Sequence, residues 1–275
     1  MGCKNEGREK DAELETGTVG EAAERVEREK DSIEISPVSH ATAVIKWDET
    51  VFYTDPVGGP EAFQGMEAPD FILISDIHGD HMNAETLQGL QLENTQIIVP
   101  QAVKDALPQE LHSKLVVIAN GESREIMGFN IEAVPMYNLP EDAESRHIKG
   151  RGNGYVLEKD GQRLYIAGDT EDIPEMRSLS NIDHALIPMN LPYTMTVEQA
   201  ADGVLAFKPK KVYPYHFRGQ DGLADVEKFK GFHFKAETGI DNQQNEISNL
   251  GHIDHGNRYC NRYNYLRYRF SEIQT

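Results

Sequence analysis

Residues 71–82, FILISDIHGDHM, constrain the fold most, because an apolar, β-branched run breaks there into a cluster of acids and histidines. The run from Phe71 to Ser75 predicts a buried strand, with the polar residues at its end. Imidazole and carboxylate groups bind divalent cations, and a strand end holds such ligands rigidly. The stretch therefore predicts a metal site, and a plain polar loop is the alternative. The candidate ligands are Asp76, His78, Asp80 and His81.

Two later strands are predicted to end in the same way. RLYIA runs into Gly168, Asp169 and Thr170, and KVYPY runs into His216. We expect the strand ends at positions 75, 167 and 215 to converge at one edge of a sheet core, where binding sites commonly form. Asp55 also follows an apolar run, TVFYT, but Asp before Pro most often caps a turn.

The rest of the pattern alternates strands with helices. Hairpin turns are predicted at residues 48–49 and 159–161, the second because Asp-Gly adopts the positive φ that such a turn needs. Helices are predicted from Asn83 through Leu92, over residues 101–106, and from the capping box of Thr196 and Gln199. Short elements that alternate in this order are typical of an α/β fold.

Composition divides the chain into three parts. Residues 1–34 are rich in Glu and Lys and poor in large apolar side chains, which predicts a disordered acidic tether. Residues 35–230 have the pattern of a globular domain, and residues 231–275 form a divergent tail without clear periodicity. The net charge of -19 argues against a nucleic-acid partner. The partner expected is a small-molecule substrate, and the oligomeric state is left open.

The N-terminus bears on localisation. Gly2 and Cys3 before an acidic linker resemble the mature start of a bacterial lipoprotein, whose cysteine carries the lipid. That interpretation predicts a membrane anchor through Cys3, with the protein facing the periplasm or the exterior. An ordinary acidic tail with an incidental cysteine is the alternative, and it predicts a cytoplasmic protein. With Cys260 as the second of two cysteines, a disulfide framework is excluded.

Taken together, the motifs resemble those of the metallo-β-lactamase superfamily, in its branch of UlaG-like metal-dependent hydrolases. The resemblance covers about residues 35–230 and implies a four-layer αββα sandwich with metals at one edge, between the two sheets. The motifs that carry it are, in chain order, SHATAVIKW with TDPVGG, SDIHGDHM, HIKGRGNGYVLE, LYIAGDTEDIPEM, ALIPMNLPYTM and VYPYHFRG.

The resemblance also implies the site residues. The family signature is HxHxDH, in which the first two histidines bind one metal and the Asp-His pair binds the other. Asp169 would bridge the metals and His216 would complete the second site. Asp80 is the expected catalytic residue, since it would orient the attacking water or relay its proton. The implied metal ligands are Asp76, His78, Asp80, His81, Asp169 and His216.

Two departures from the family pattern affect the first site. Asp76 replaces a histidine, and residues 135–138 (Pro-Met-Tyr-Asn) stand where many relatives have another histidine. One or two divalent metal ions are therefore expected, and the added carboxylate moves the preference from zinc towards manganese. His147 could supply the missing imidazole, but its loop is more typical of a substrate pocket. With Asn190 and Tyr193, His147 is predicted to bind substrate.

The function implied is a metal-dependent hydrolase that acts on an ester, a lactone or a phosphodiester with a metal-activated water. Two alternatives keep the fold. An iron-dependent redox enzyme would use the same site for different chemistry, and a non-catalytic binding protein would retain a degraded metal site. The substitution at Asp76 favours the binding protein, and the complete second site opposes it.

Overall fold

The computed structural model describes residue 2 and residues 32–219, 222–237 and 273–274. Most of the predicted tether with Cys3, and most of the predicted C-terminal tail, lie outside these residues. Among the described helices, none is long and apolar enough to cross a membrane.

The first sheet contains six strands in chain order, within the described part of the chain. β1, β2 and β3 pair as an antiparallel meander, whereas β3 to β6 run parallel. The predicted turn at residues 48–49 joins β2 to β3, with Asp48 at a φ of 53°. The strands are β1 (Ile33–Ser39), β2 (Thr42–Trp47), β3 (Thr50–Thr54), β4 (Phe71–Leu73), β5 (Gln96–Val99) and β6 (Leu115–Val117).

The second sheet is also mixed. β7 to β10 pair as an antiparallel meander, whereas β10, β11 and β12 run parallel. A short hairpin, β13 (Arg218–Gly219) with β14 (Gly222–Leu223), follows, and β15 (Ile273–Gln274) pairs antiparallel with β12. The main strands are β7 (Ser123–Ile126), β8 (Phe129–Met136), β9 (Gly152–Lys159), β10 (Gln162–Ile166), β11 (His184–Pro188) and β12 (Lys211–Tyr215).

Alternation along the strands builds the layers. Phe71 points into the core between the sheets, where its ring stacks on Phe52 and meets the edge of Phe129 from the second sheet. Its neighbour Ile72 faces the opposite side, where helices cover the first sheet. A strand that is buried on both faces needs apolar residues at consecutive positions, which explains the unbroken FIL run.

Helices cover the outer face of each sheet, which confirms the four-layer αββα sandwich. The capping box is also confirmed: the Thr196 side chain accepts from the Gln199 amide, and the Gln199 side chain accepts from the Thr196 amide. The helix predicted through Leu92 is shorter than expected and ends at Gly89. The helices are α1 (Ala84–Gly89), α2 (Gln101–Ala106), α3 (Pro174–Arg177), α4 (Val197–Phe207) and α5 (Val226–Glu237), with 3-10 turns at Pro60–Phe63 and Gln109–Lys114.

Candidate metal centre

The candidate site lies where parallel strands of both sheets end. β3 and β4 run parallel in the first sheet, as do β10 and β12 on either side of β11 in the second. Asp55 follows β3 and the segment from Asp76 to His81 follows β4. Asp169 follows β10 and His216 follows β12. Side chains from these carboxyl ends meet at one edge of the sandwich, as the positions of the strand ends predict.

Three side chains from the two sheets converge most closely. The Nε2 atoms of His81 and His216 lie 3.1 Å apart, and each lies 3.2 Å from an oxygen of the Asp169 carboxylate. All three side chains are almost completely buried. Within the described residues Asp169 Oδ1 accepts no hydrogen bond, and it lies 3.2 Å from His216 Nε2. Buried polar atoms usually have a partner, so this group has the character of a ligand set.

Electrostatics favour positive charge at this point. Burial raises the pKa of the Asp169 carboxyl, but the His81 and His216 imidazoles outweigh burial and lower the pKa well below its ordinary value. Burial lowers the pKa of the His81 imidazole, but the Asp169 and Asp55 carboxylates raise it well above its ordinary value. In His216 burial prevails and the pKa falls. The same negative charge that raises the pKa of His81 would favour a metal cation bound there in place of the proton.

Asp80 lies at the solvent side of this group. Its Oδ2 is 3.4 Å from His216 Nε2 and 3.3 Å from His40 Nε2, and its side chain is 40% exposed. Burial raises the pKa of the Asp80 carboxyl, whereas hydrogen bonds from His216 and His40 lower it further than burial raises it. Asp80 is therefore ionised at neutral pH and accessible to water.

Another cluster, formed by Asp76, His78 and His147, lies beside Asp169. Asp76 Oδ2 is 2.6 Å from His78 Nδ1 and 3.9 Å from His147 Nε2, and His147 Nε2 is also 3.0 Å from Asp169 Oδ2. Asp76 and His147 are buried, whereas His78 is partly exposed. Arg151 contacts the same carboxylate, with Nε 3.2 Å from Asp76 Oδ1 and Nη2 3.2 Å from Oδ2.

Hydrogen bonds fix the imidazole rings that face the clusters. Asp55 Oδ2 accepts from His81 Nδ1 at 2.8 Å, while the Ser75 amide and hydroxyl both donate to the Asp55 carboxylate at 2.7 Å. The Tyr193 carbonyl lies 3.1 Å from His147 Nδ1. A carboxylate or carbonyl oxygen accepts a hydrogen bond from Nδ1–H, which fixes the tautomer in which the Nε2 lone pair is free for a metal.

His81, Asp169 and His216 offer ligand atoms within 4.8 Å of one another, as a divalent cation requires, and Asp80 shares His216 with a neighbouring group that also contains His40. Tetrahedral ligands with bonds of about 2.1 Å lie about 3.4 Å apart. The distances from His216 Nε2 to His81 Nε2, Asp169 Oδ1 and Asp80 Oδ2 are 3.1, 3.2 and 3.4 Å. Two imidazoles with two carboxylates form a set that zinc and manganese both accept.

The predicted substrate residues have different surroundings. The His147 ring is buried and its Nε2 contacts Asp169, and its role in binding substrate stays a prediction. Tyr193 is 43% exposed, and the Arg146 guanidinium lies 5.2 Å above its ring. The backbone N–H of Asn190 donates to Thr194 Oγ1 at 2.7 Å, which orders the turn after β11.

Three neighbours of the ligands, Asp55, His40 and Arg151, are not predicted by the sequence to belong to the site. The sequence predicts that Asp55 caps a turn, although it carries the same signal as the other acids, a carboxylate at the end of an apolar run. His40 holds Asp80 from the turn between β1 and β2, and its carbonyl accepts from the His216 amide at 3.1 Å. Arg151 lies in the HIKGRGNGY motif, and its pairing with Asp76 carries no sequence signal.

Comparison with known proteins places these observations in a family. A family model described as a beta-lactamase superfamily domain matches residues 34–216. A UPF0173 metal-dependent hydrolase of Pyrococcus abyssi is 27% identical over 208 residues, which are 72% of this chain and 91% of that protein.

Two solved structures are similar in fold. A Parabacteroides distasonis protein assigned as a metal-dependent hydrolase is 37% identical, with a TM-score of 0.65 over 74% of this chain and 89% of that one. Igni18, a metallo hydrolase from Ignicoccus hospitalis, is 21% identical, with a TM-score of 0.62 over 74% of this chain and 91% of that one. At that identity the second likeness concerns the fold alone.

Proposed function

The chain belongs to the beta-lactamase superfamily and to its metal-dependent hydrolases, and from that premise we propose that it hydrolyses an ester, a lactone or a phosphodiester. This proposal is supported by the convergence of His81, Asp169 and His216 from both sheets, with ligand atoms 3.1–3.2 Å apart. With Asp80, these residues would hold one divalent cation, zinc or manganese. A bound cation would supply Lewis acidity, which activates water near neutral pH and offsets negative charge in the transition state.

Asp80 is the proposed catalytic residue. Its carboxylate is ionised and 40% exposed, whereas that of Asp169 is only 4% exposed. Oδ2 takes the contacts with His40 and His216, so we assign proton transfer to Oδ1. There Oδ1 accepts the proton of the attacking water and returns a proton to the leaving group.

The other residues position these groups. Asp55 keeps the His81 ring aimed at the ligand cluster, and His40 restricts the rotation of the Asp80 carboxylate. Asn190 and Tyr193 are proposed substrate contacts, since both lie in the turn that follows β11 beside the site. The exposed Tyr193 ring offers a flat apolar surface and a hydroxyl donor to a substrate.

The test combines metal analysis with a substrate screen. Protein purified without added metal is analysed for zinc, manganese and iron, then assayed on lactones, phosphodiesters and simple esters. We expect zinc or manganese and turnover of one class. Stoichiometric iron without hydrolysis would favour the redox alternative. Bound metal without iron and without turnover of any class would favour the binding protein.

A variant pair tests the role of Asp80. Asp80→Ala should lower kcat/KM by roughly 10²–10⁴-fold, the usual contribution of a general base. Asp48→Ala is the matched control, because Asp48 is similarly exposed, at 44%, and pairs with Lys159 at a hairpin turn. Unchanged turnover in Asp80→Ala would refute the proposed mechanism.

A further inference from the structure

The Asp76 carboxylate is already neutralised by a cation of the chain itself. Arg151 donates to both of its oxygens, from Nε to Oδ1 and from Nη2 to Oδ2, each at 3.2 Å. Nη2 also lies 3.5 Å from Nε2 of His78. The guanidinium therefore borders two of the three residues that would form a first metal site, Asp76, His78 and His147.

The loop that carries Arg151 is built to place it there. Nη2 donates a further hydrogen bond to the Arg146 carbonyl at 2.6 Å, and the Arg151 amide donates to the Ile148 carbonyl at 3.1 Å. A Cβ at Gly152 would lie 2.8 Å from the Ser75 carbonyl. Only glycine lets the loop approach the end of β4 so closely, and this approach brings the guanidinium to Asp76.

The first group, Asp76, His78 and His147, therefore does not fit a divalent ion in addition to the one at the second group. Arg151 stays protonated in proteins, so a metal bound by Asp76 and His78 would face a fixed positive charge at close range. The two-pronged contact also uses both Asp76 oxygens, which a metal would have to take from the guanidinium. The second group, with His81, Asp169 and His216, has no such cation among its contacts in the described residues.

We propose that the Arg151 guanidinium takes the place of the first metal ion, so that the protein binds a single divalent cation, at the second group. Asp76 is then the partner of Arg151 and not a metal ligand. This inference rests on the proposed function, because it needs a metal at the second group.

Metal stoichiometry tests the proposal without reference to turnover. Metal-stripped protein is titrated calorimetrically with zinc chloride or manganese chloride, and bound metal is counted after desalting. We expect one ion in the wild type, two in Arg151→Gln and one in Arg151→Lys, which keeps the charge. The matched control is Arg146→Gln, which removes an equal charge from the same loop and should still bind one ion.

Several outcomes separate the possibilities. Two ions in the wild type, or one ion in a folded Arg151→Gln, would overturn the proposal and leave the hydrolase function standing. No ion in the wild type would instead refute the proposed function. If Arg151→Gln does not fold, Asp76→Asn provides the test. We expect this variant to bind one ion with unchanged affinity, and a lower affinity for the metal would overturn the proposal.

Discussion

Asp55 and His81 form a buried pair in which the Asp55 carboxylate orients the His81 ring. The carboxylate accepts from Nδ1 and keeps Nε2 turned towards His216 and Asp169. Asp55→Asn should lower the affinity for zinc about 10–100-fold, the usual effect of removing such a partner. Calorimetric titration of metal-stripped protein measures the loss.

Asp70→Asn is the control for that measurement. Asp70 also holds a backbone amide at a strand end, since its Oδ2 accepts from the Val51 amide at 2.8 Å, but it contacts no ligand histidine. Its substitution should leave zinc affinity unchanged. Equal affinities for Asp55→Asn and the wild type would show that His81 needs no orientation by Asp55.

The sequence predicts the proposed metal ligands better than it predicts the residues that contact those ligands. Asp169 and His216 are recognisable because each ends an apolar strand, a signal within a few residues. The positions of His40 and Arg151, and the direction in which the His147 ring points, depend on contacts between distant parts of the chain. Arg151 reaches Asp76 across 75 positions, and no local pattern encodes such a pairing.

The turn after β10 holds Asp169 in place through Gly168. This glycine has a φ of 67°, and a Cβ there would lie 2.6 Å from Met136 Sδ and 3.1 Å from the Asn153 carbonyl. Gly168→Ala should lower the free energy of unfolding by about 2–5 kcal/mol, through backbone strain and overpacking together. Zinc affinity should fall as well, because Asp169 is displaced.

Gly161 provides the matched comparison. It lies in the turn between β9 and β10 with a φ of 79°, but a Cβ there has no neighbour within 4 Å. Gly161→Ala should cost only the strain, about 1–2 kcal/mol, and leave zinc binding intact. Urea denaturation and zinc titration give both quantities. Equal losses in the two variants would rule out a packing role for Gly168.

Strands and helices with strong local signals were predictable, and weak ones were not. The apolar runs of β4, β5 and β11 are recognisable because both faces are buried. β7 was missed because three of its four residues, Ser-Arg-Glu, are exposed and lack apolar alternation. α1 ends early because Leu90 adopts an extended conformation, with a φ of -80° and a ψ of 154°.

Over the whole molecule, the metal would join the two halves of the sandwich. Asp80 and His81 come from the end of β4 in the first sheet, and Asp169 and His216 from strands of the second. Because the unfolded chain does not bring these residues together, metal binding should add to the stability of the fold.

Metal removal should therefore lower the melting temperature. At a metal concentration about a thousandfold above Kd, binding stabilises the folded protein by about 4 kcal/mol. For a chain of this size each kcal/mol shifts Tm by about 2–4 °C, so chelation should lower Tm by about 8–16 °C. Calorimetric scans with and without chelator measure the shift, with His81→Gln as the control, in which chelation should change little. If chelation removes the metal and Tm does not move, the ligands are held by the two sheets alone and the cation contributes only to chemistry.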